Sequence, residues 1–226
     1  MAIDAPLTRR ERERHARREA MLEAAAQVFA EHGFDAATLD EIALRAEFGK
    51  GTLYNYFSSK EELLLAVIER LYAQFYTTIR EGFAIERVST EPFERVLRDF
   101  LLTCFTYFSN HSHLFMLLMR EAQRLFFSGN PEHAAFFVNH RNRVMTLMCE
   151  ALQQGINCGA IRNTDTHAMA LVILASIKHF QMELIVPDDT EVSCSMGTFQ
   201  SPERAADALL PLLLNGLAAP PQPSSN

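Results

Sequence analysis

Several chemistries are missing from this chain, and their absence narrows what it does. Cysteine is scarce: Cys104, Cys149, Cys158 and Cys194 are the four in 226 residues. They show no C-x-x-C or other metal-ligand spacing, and three sit in apolar helical surroundings where a free thiol behaves as a small hydrophobe. His111-x-His113 and the His133/His140 pair lack the spacing and company of a metal site, so neither metal nor cofactor is expected. There is no G-x-S-x-G, no H-E-x-x-H and no nucleophile–base pattern. The "GKGT" at 49–52 departs from a phosphate loop, because Gly51 separates Lys50 from Thr52 and Leu44 stands at the upstream glycine position. An enzyme is not expected.

Long hydrophobic runs are also absent. The first twenty residues are charged and carry no apolar core of a secretory leader. The longest nearly pure apolar run, 168–177, falls short of the roughly 18 residues that span a bilayer. A cytoplasmic protein with no membrane partner is the expectation. Runs of β-branched residues are few, whereas Leu, Ala, Glu, Arg and Met abound, which points to an all-α fold. With 48% hydrophobic residues, the chain can bury a core and is long enough for two modest domains.

Charge is unevenly placed on a molecule of formal net charge -7. Residues 8–18, "TRRERERHARR", carry six arginines against two glutamates, a local +4. From 181 to 226 one arginine faces six carboxylates, a local -5. A basic front on an acidic body suits local docking onto a polyanion, or a solvated helical face laced with ion pairs.

The first helix is expected from near Arg9–Arg14 to His32, with Leu22, Ala25, Val28 and Phe29 on its apolar face and Gly33 as a left-handed cap. Thr38 followed by Glu41 reads as a capping box opening a short helix with Leu39, Ile42, Ala43 and Ala46 inward. After the turn "EFG" a third helix is expected over 50–57, with Leu53 and Phe57 inward. Ser59 and Glu62 form a second box, opening a long helix to about residue 83. Further helices are expected over 91–109, 112–127, 132–157, 166–186 and 202–217, with Pro211 kinking the last or delaying its start. Between them lie segments rich in Gly, Pro, Ser, Asn or Asp. The stretch 187–202 reads as a surface loop and 218–226 as a disordered tail.

The segment "GKGTLYNYFSSKEELL", 49–64, asks why two glycines, a lysine, a threonine and three aromatics share nine positions. Two short helices joined by a tight turn, the second rich in hydrogen-bonding side chains, read as helix-turn-helix. With Leu53 and Phe57 buried, Lys50, Thr52, Tyr54, Asn55 and Tyr56 keep surface for a partner. Lys50 suits phosphate or a guanine edge, Thr52 phosphate or a thymine methyl, and Asn55 an adenine edge. Tyr54 and Tyr56 offer rigid rings with a donor tip, and Gly51 allows close backbone approach. Lys60, at the start of the fourth helix, would meet a second stretch of phosphate.

"TLDEIALRAEFGKGTLYNYFSSKEELL", with the preceding "AAAQVFAEHGF", resembles the N-terminal domain of the TetR family of bacterial transcriptional regulators. The resemblance spans about residues 17–71. It implies a three-helix helix-turn-helix DNA-binding domain (9–59) followed by a helical-bundle domain (60–217) that binds an effector and dimerises. It places Thr38 and Lys60 on phosphates, Lys50, Thr52, Asn55 and Tyr56 in the major groove, and Tyr54 close to the backbone. One departure stands out: the turn commonly reads Gly-Val-Ser in the family, and here it is Glu47-Phe48-Gly49. That affects the operator sequence rather than the function.

The body is rich in Phe and Met, more than one apolar stripe per helix requires. Most of that is core, but Met adapts to varied ligands, and the resemblance raises the expectation of a cavity. Phe100, Cys104, Tyr107, Met116, Met119, Phe137, His140 and Phe180 are the candidate lining, for a small apolar or aromatic effector. Residues 166–186, opening at Thr166, are apolar nearly all round and must be covered. With 202–217, opening at Pro202, they are the expected homodimer interface. The reading is a repressor released from a near-palindromic double-stranded operator by its effector. The alternatives are an activator or co-repressor-dependent regulator of the same fold, or an interaction protein that no longer binds DNA.

Overall fold

The computed structural model describes residues 8–82, 85–185 and 199–215, and among these every regular element is a helix. In chain order they are α1 (Arg9–Ala36), α2 (Leu39–Arg45), α3 (Lys50–Tyr54), α4 (Lys60–Gly82), α5 (Ile85–Thr90), α6 (Phe93–Asn110), α7 (Ser112–Phe126), α8 (Pro131–Asn157), α9 (Thr166–Ile185) and α10 (Pro202–Asn215). The stretch 186–198, including Cys194, and the tail from 216 lie outside the described residues, so the expected loop and disordered tail fall largely there.

Two compact units result. The first joins the described residues up to Gln74 to His113–Ala134, and the second joins Phe75–Ser112 to the described residues from Ala135 onward. The first unit therefore runs past residue 59 through much of α4 and takes in α7.

Within the first unit, α1 starts where a complete capping box closes it. Thr8 N donates to Glu11 Oε2 (2.8 Å) and Glu11 N donates to Thr8 Oγ1 (3.3 Å). Those two donors from Thr8, its backbone N–H and its hydroxyl, hold Glu11's carboxyl below its ordinary value. The helix reaches Ala36, four residues beyond the expected end, across a break at Gly33 (φ 76°, ψ 171°). That backbone region belongs almost wholly to glycine, and a Cβ there would also lie 2.8 Å from the Arg120 guanidinium. Phe34 folds back so that its ring sits 5.8 Å from Phe29. Met21, Leu22, Ala25, Val28, Phe29, Ile42, Leu53, Phe57, Leu63, Leu64 and Ile68 are almost wholly buried, and they supply the apolar interior of this unit.

In the second unit, α6 packs against α9 and α10, and α9 against α10. α5 was not expected from the sequence; it ends before Pro92, which serves as N-cap of α6. The joint is held by Arg87, which donates to both oxygens of Glu91 (2.7 and 2.9 Å) and to Asp99 Oδ2 (2.6 Å). α10 starts at Pro202, undelayed, and runs on through Pro211; the proline N–H is missing, so the Asp207 carbonyl loses its helical donor. The Asp207 carboxylate meanwhile accepts from Arg98 Nε at 2.7 Å.

α9 is long and apolar enough to cross a bilayer on length and composition alone, yet little of it is buried. Ala170, Ile173, Ile177 and Gln181 face inward, whereas Leu171 and Val172 are about half exposed. So the described residues of one chain do not cover the helix on all sides.

Candidate nucleic-acid interface

α2 begins at Thr38, whose Oγ1 accepts from Glu41 N at 3.2 Å. Only this half of the expected box forms, because the Glu41 carboxylate turns to His32 Nε2 at 3.0 Å. A hydroxyl that accepts a capping bond still has its own O–H to donate, and Thr38 is exposed.

The turn between α2 and α3 is built without the glycine that would fit it. Glu47 has φ 60°, in the left-handed region that costs a non-glycine residue on the order of 1 kcal/mol. Two backbone bonds hold it: Glu47 N to Leu44 O (3.1 Å) and Phe48 N to Ala43 O (2.9 Å). Gly49 caps α3 with backbone alone, accepting from Thr52 N (2.9 Å) and Leu53 N (3.2 Å). The regular part of α3 is shorter than expected, closing at Asn55, while Phe57 N still bonds to Leu53 O at 3.0 Å.

Leu53 and Phe57 are buried, and Lys50, Gly51, Tyr54 and Asn55 are exposed. Thr52, Asn55 and Tyr56 line a concavity of about 600 Å³ together with Arg10, Glu11, Glu13, Arg14 and Arg17 of α1. The Arg14 guanidinium lies 5.9 Å from the Tyr56 ring centroid, and Arg18 lies 5.4 Å from that of Phe57. These arginines against α3 were not legible in the motif itself; the signal was the basic run, whose register against α3 needed the fold.

A Cβ added at Gly51 would meet nothing within 4 Å. No internal packing explains that glycine, so the room it leaves is outside the chain. Gly51→Ala should therefore stabilise α3 by about 0.5–1 kcal/mol while weakening DNA binding. Denaturation curves and operator titrations on one sample would check it, and an unchanged affinity would remove Gly51 from the contact surface.

Two lysines are less free than the sequence alone implied. Lys50 Nζ lies 2.7 Å from Asp40 Oδ1 on α2, and that hydrogen bond raises the lysine's pKa. Both side chains are more than half exposed, so the pair positions the cation and adds little stability. Lys60 differs: its Nζ donates to Phe34 O (2.7 Å), Asp35 O (3.1 Å) and Ala37 O (2.9 Å). An ammonium has three N–H donors, and here all three cap the end of α1. The same Nζ lies 4.6 Å from the Phe34 ring centroid. The geometry gives Lys60 a structural task that the sequence did not suggest.

Ser59 caps α4 by accepting from Glu62 N at 3.0 Å. The Glu62 carboxylate reaches one residue further back, accepting from Ser58 N (2.7 Å) and Ser58 Oγ (2.6 Å). Those bonds, the hydroxyl first, lower its pKa.

The candidate effector residues divide between the units. Phe100, Cys104, Tyr107, Phe137 and His140 are buried in the second, with Phe180 half-buried; Met116 and Met119 belong to the first. Phe180 stacks on Phe199 (4.8 Å) and Phe105 (6.4 Å), and burial raises the Cys104 thiol's pKa. One cleft of about 330 Å³ includes Tyr107, with Thr78, Thr103, Thr106, Asn110 and His111. A second, of about 510 Å³, is lined by residues not foreseen, among them Phe93, Leu97, Ile161, Met169 and Leu213. Gln181 is wholly buried, and its amide nitrogen donates to Ser109 Oγ (3.3 Å) while Oε1 has no partner. Among the described residues no group of three metal-ligating side chains assembles.

An all-helical chain that presents α3 on a short left-handed turn, polar side outward, is a helix-turn-helix regulator. Residues 21–67 match the model of bacterial regulatory proteins, tetR family. Over 149 residues the chain is 31% identical to the HTH-type transcriptional repressor KstR2 of Mycobacterium tuberculosis, covering 66% of this chain and 70% of the repressor. It is 41% identical over 83 residues to the HTH-type transcriptional activator FasR of Mycolicibacterium smegmatis, covering 37% and 36% of the two chains. In fold it resembles the transcriptional regulator FadR from Bacillus subtilis, solved in complex with stearoyl-CoA, with TM-score 0.72 and 20% identity over 88% of this chain and 99% of that one. The chain belongs to the TetR family of DNA-binding transcriptional regulators, a non-enzymatic family.

Proposed function

We propose that this regulator is a homodimeric repressor that leaves a near-palindromic operator when a small apolar or aromatic effector binds its second unit. The observation that carries the DNA half is the face of α3: Leu53 is buried, while Thr52, Asn55 and Tyr56 open onto a concavity shared with arginines. Lys50, Thr52, Asn55 and Tyr56 are assigned to the major groove, with Gly51 allowing close approach, Tyr54 at the sugar–phosphate backbone and the Thr38 hydroxyl on a phosphate. A protein that acts on bacterial DNA works in the cytoplasm.

Dimerisation is supported by what α9 and α10 leave uncovered. Leu171 (46%), Val172 (53%) and Leu212 (49%) are large apolar side chains with high exposure, and a second copy would cover them. Two-fold symmetry then demands two half-sites about 34–36 Å apart, or a multiple of that. Within the second unit, the buried aromatics and Cys104 supply apolar walls, and the unpartnered Oε1 of Gln181 is an acceptor that an effector's donor would satisfy. Release requires the effector to prefer the non-binding conformation. The similarity of an 83-residue stretch to an activator keeps activation as the second reading.

Selection of bound sequences from random duplex DNA by the purified full chain should enrich an inverted repeat. Affinity for that repeat should fall with salt at a log–log slope of about -0.9 per phosphate neutralised. An enriched single half-site would overturn the dimer, and no enrichment at low salt would overturn the ligand-free repressor.

A further inference from the structure

We propose that Arg10, Arg14 and Arg17 form a helix-borne phosphate clamp, which grips one strand of the duplex beside the recognition helix. The proposal rests on the DNA-binding reading above and extends it to a surface outside the helix-turn-helix. Its partner is the sugar–phosphate backbone, not the bases.

The first support is that this basic segment is a helix. The Thr8–Glu11 box starts α1 at Arg9, and helical bonds follow at once, with Arg12 N to Thr8 O at 3.0 Å. A basic arm reads the minor groove as an extended strand, because that groove is only about 6 Å wide and a helix with side chains is about 10–12 Å across. A helical segment can lie along the backbone but cannot enter.

Register is the second support. Positions 10, 14 and 17 follow the i, i+4, i+7 rule, so their side chains share one face. That face borders the concavity shared with Thr52, Asn55 and Tyr56. From 10 to 17 the helix rises roughly 10 Å, enough for two or three phosphates of one strand. Arginine suits the task because its planar fork binds phosphate oxygens in pairs.

The third is what the nearby carboxylates do. Glu11 is spent on the Thr8 cap, and Glu13 Oε1 accepts from Arg9 Nε at 2.8 Å. Among the described residues no carboxylate pairs with Arg10, Arg14 or Arg17. Arg14 rests against the Tyr56 ring, which aims the stripe at the same side as α3. On a chain of net charge -7, three cations with both neighbouring acids engaged elsewhere need a polyanion to face.

The test compares the full chain with Arg10→Gln/Arg14→Gln/Arg17→Gln on the selected inverted repeat, across a salt series, with selection repeated for the variant. All three side chains are exposed, and matching circular dichroism would confirm the fold. The expected result is a salt slope shallower by about 0.9 for each lost phosphate on each protomer, with unchanged base preferences. Arg10→Lys/Arg14→Lys/Arg17→Lys should keep most of the slope. A glutamine variant with the wild-type slope would overturn the clamp while leaving operator binding intact. A change confined to base preference at A·T-rich flanks would overturn it in favour of minor-groove insertion. If the wild-type chain bound no duplex, the DNA-binding reading would fail and the clamp with it.

Discussion

Lys60→Met is expected to lower the unfolding free energy of the first unit by about 2–4 kcal/mol, at little cost in packing. The methionine stem replaces the lysine stem against Phe34 and removes only the ammonium. Three carbonyls at the end of α1, those of Phe34, Asp35 and Ala37, then lose a charged donor. Hydrogen bonds to a charged group contribute about 1.5–3 kcal/mol each, and partial access of water to these carbonyls reduces the sum. The cation also opposes the negative end of the α1 dipole. Lys60→Arg should recover only part of the loss, because a planar fork cannot direct three donors from one point. Urea denaturation of the variants would measure this. If stability held while the salt slope of operator binding fell by about 0.9, Lys60 would be a phosphate contact after all.

The second large effect concerns Glu121, a carboxylate only 3% exposed on α7. Its oxygens accept from Arg120 Nε (2.8 Å) and Arg124 Nε (2.7 Å). Arg120→Leu/Arg124→Leu would strand that anion and should cost about 3–5 kcal/mol, the usual penalty for breaking a buried pair from one side. Adding Glu121→Leu should restore most of it, since a matched apolar replacement of a buried ion group is near neutral. The triple variant separates the two explanations: if it stays as unstable as the double, lost arginine packing rather than a stranded charge is the cause. Arg124 does more than neutralise Glu121. It also donates to Glu61 on α4 (3.2 Å) and lies 4.6 Å from the Phe34 ring centroid, as Lys60 does. α7 is thereby fastened to α1 and α4 within the DNA-binding unit. The double variant is expected to loosen operator binding as well, and the triple to regain stability without regaining that fastening.

The contrast between these residues and the helix-turn-helix shows where sequence reading reaches. Thr38 and Ser59 were legible as caps because a cap acts within one turn, through bonds three or four residues apart, whereas Gly33 breaks α1 without ending it and Ala37 is the C-cap. Leu53 and Phe57 were legible as inward because helical period decides which face a residue shares. Lys50 was placed on the exposed face, but its partner Asp40 was not, since an ion pair ten residues apart across a turn depends on the angle between two helices. α5 was missed for a different reason: six residues make too short a helix for periodicity to register, and its joint to α6 is set by Arg87 reaching Asp99 twelve residues on.

By itself the sequence determined the class of fold, the position of the helix-turn-helix and the residues its recognition helix presents, because each follows from spacing within a few turns. Only the tertiary structure decided that Lys60 closes α1 and that Arg10, Arg14 and Arg17 stand beside Asn55. It also decided that α7 joins the DNA-binding unit through Glu121, Arg124 and Glu61. Those arrangements join residues 23 to 63 positions apart, where no local period carries information. There the outcome is set by which buried charge finds a partner and which helix end finds a donor.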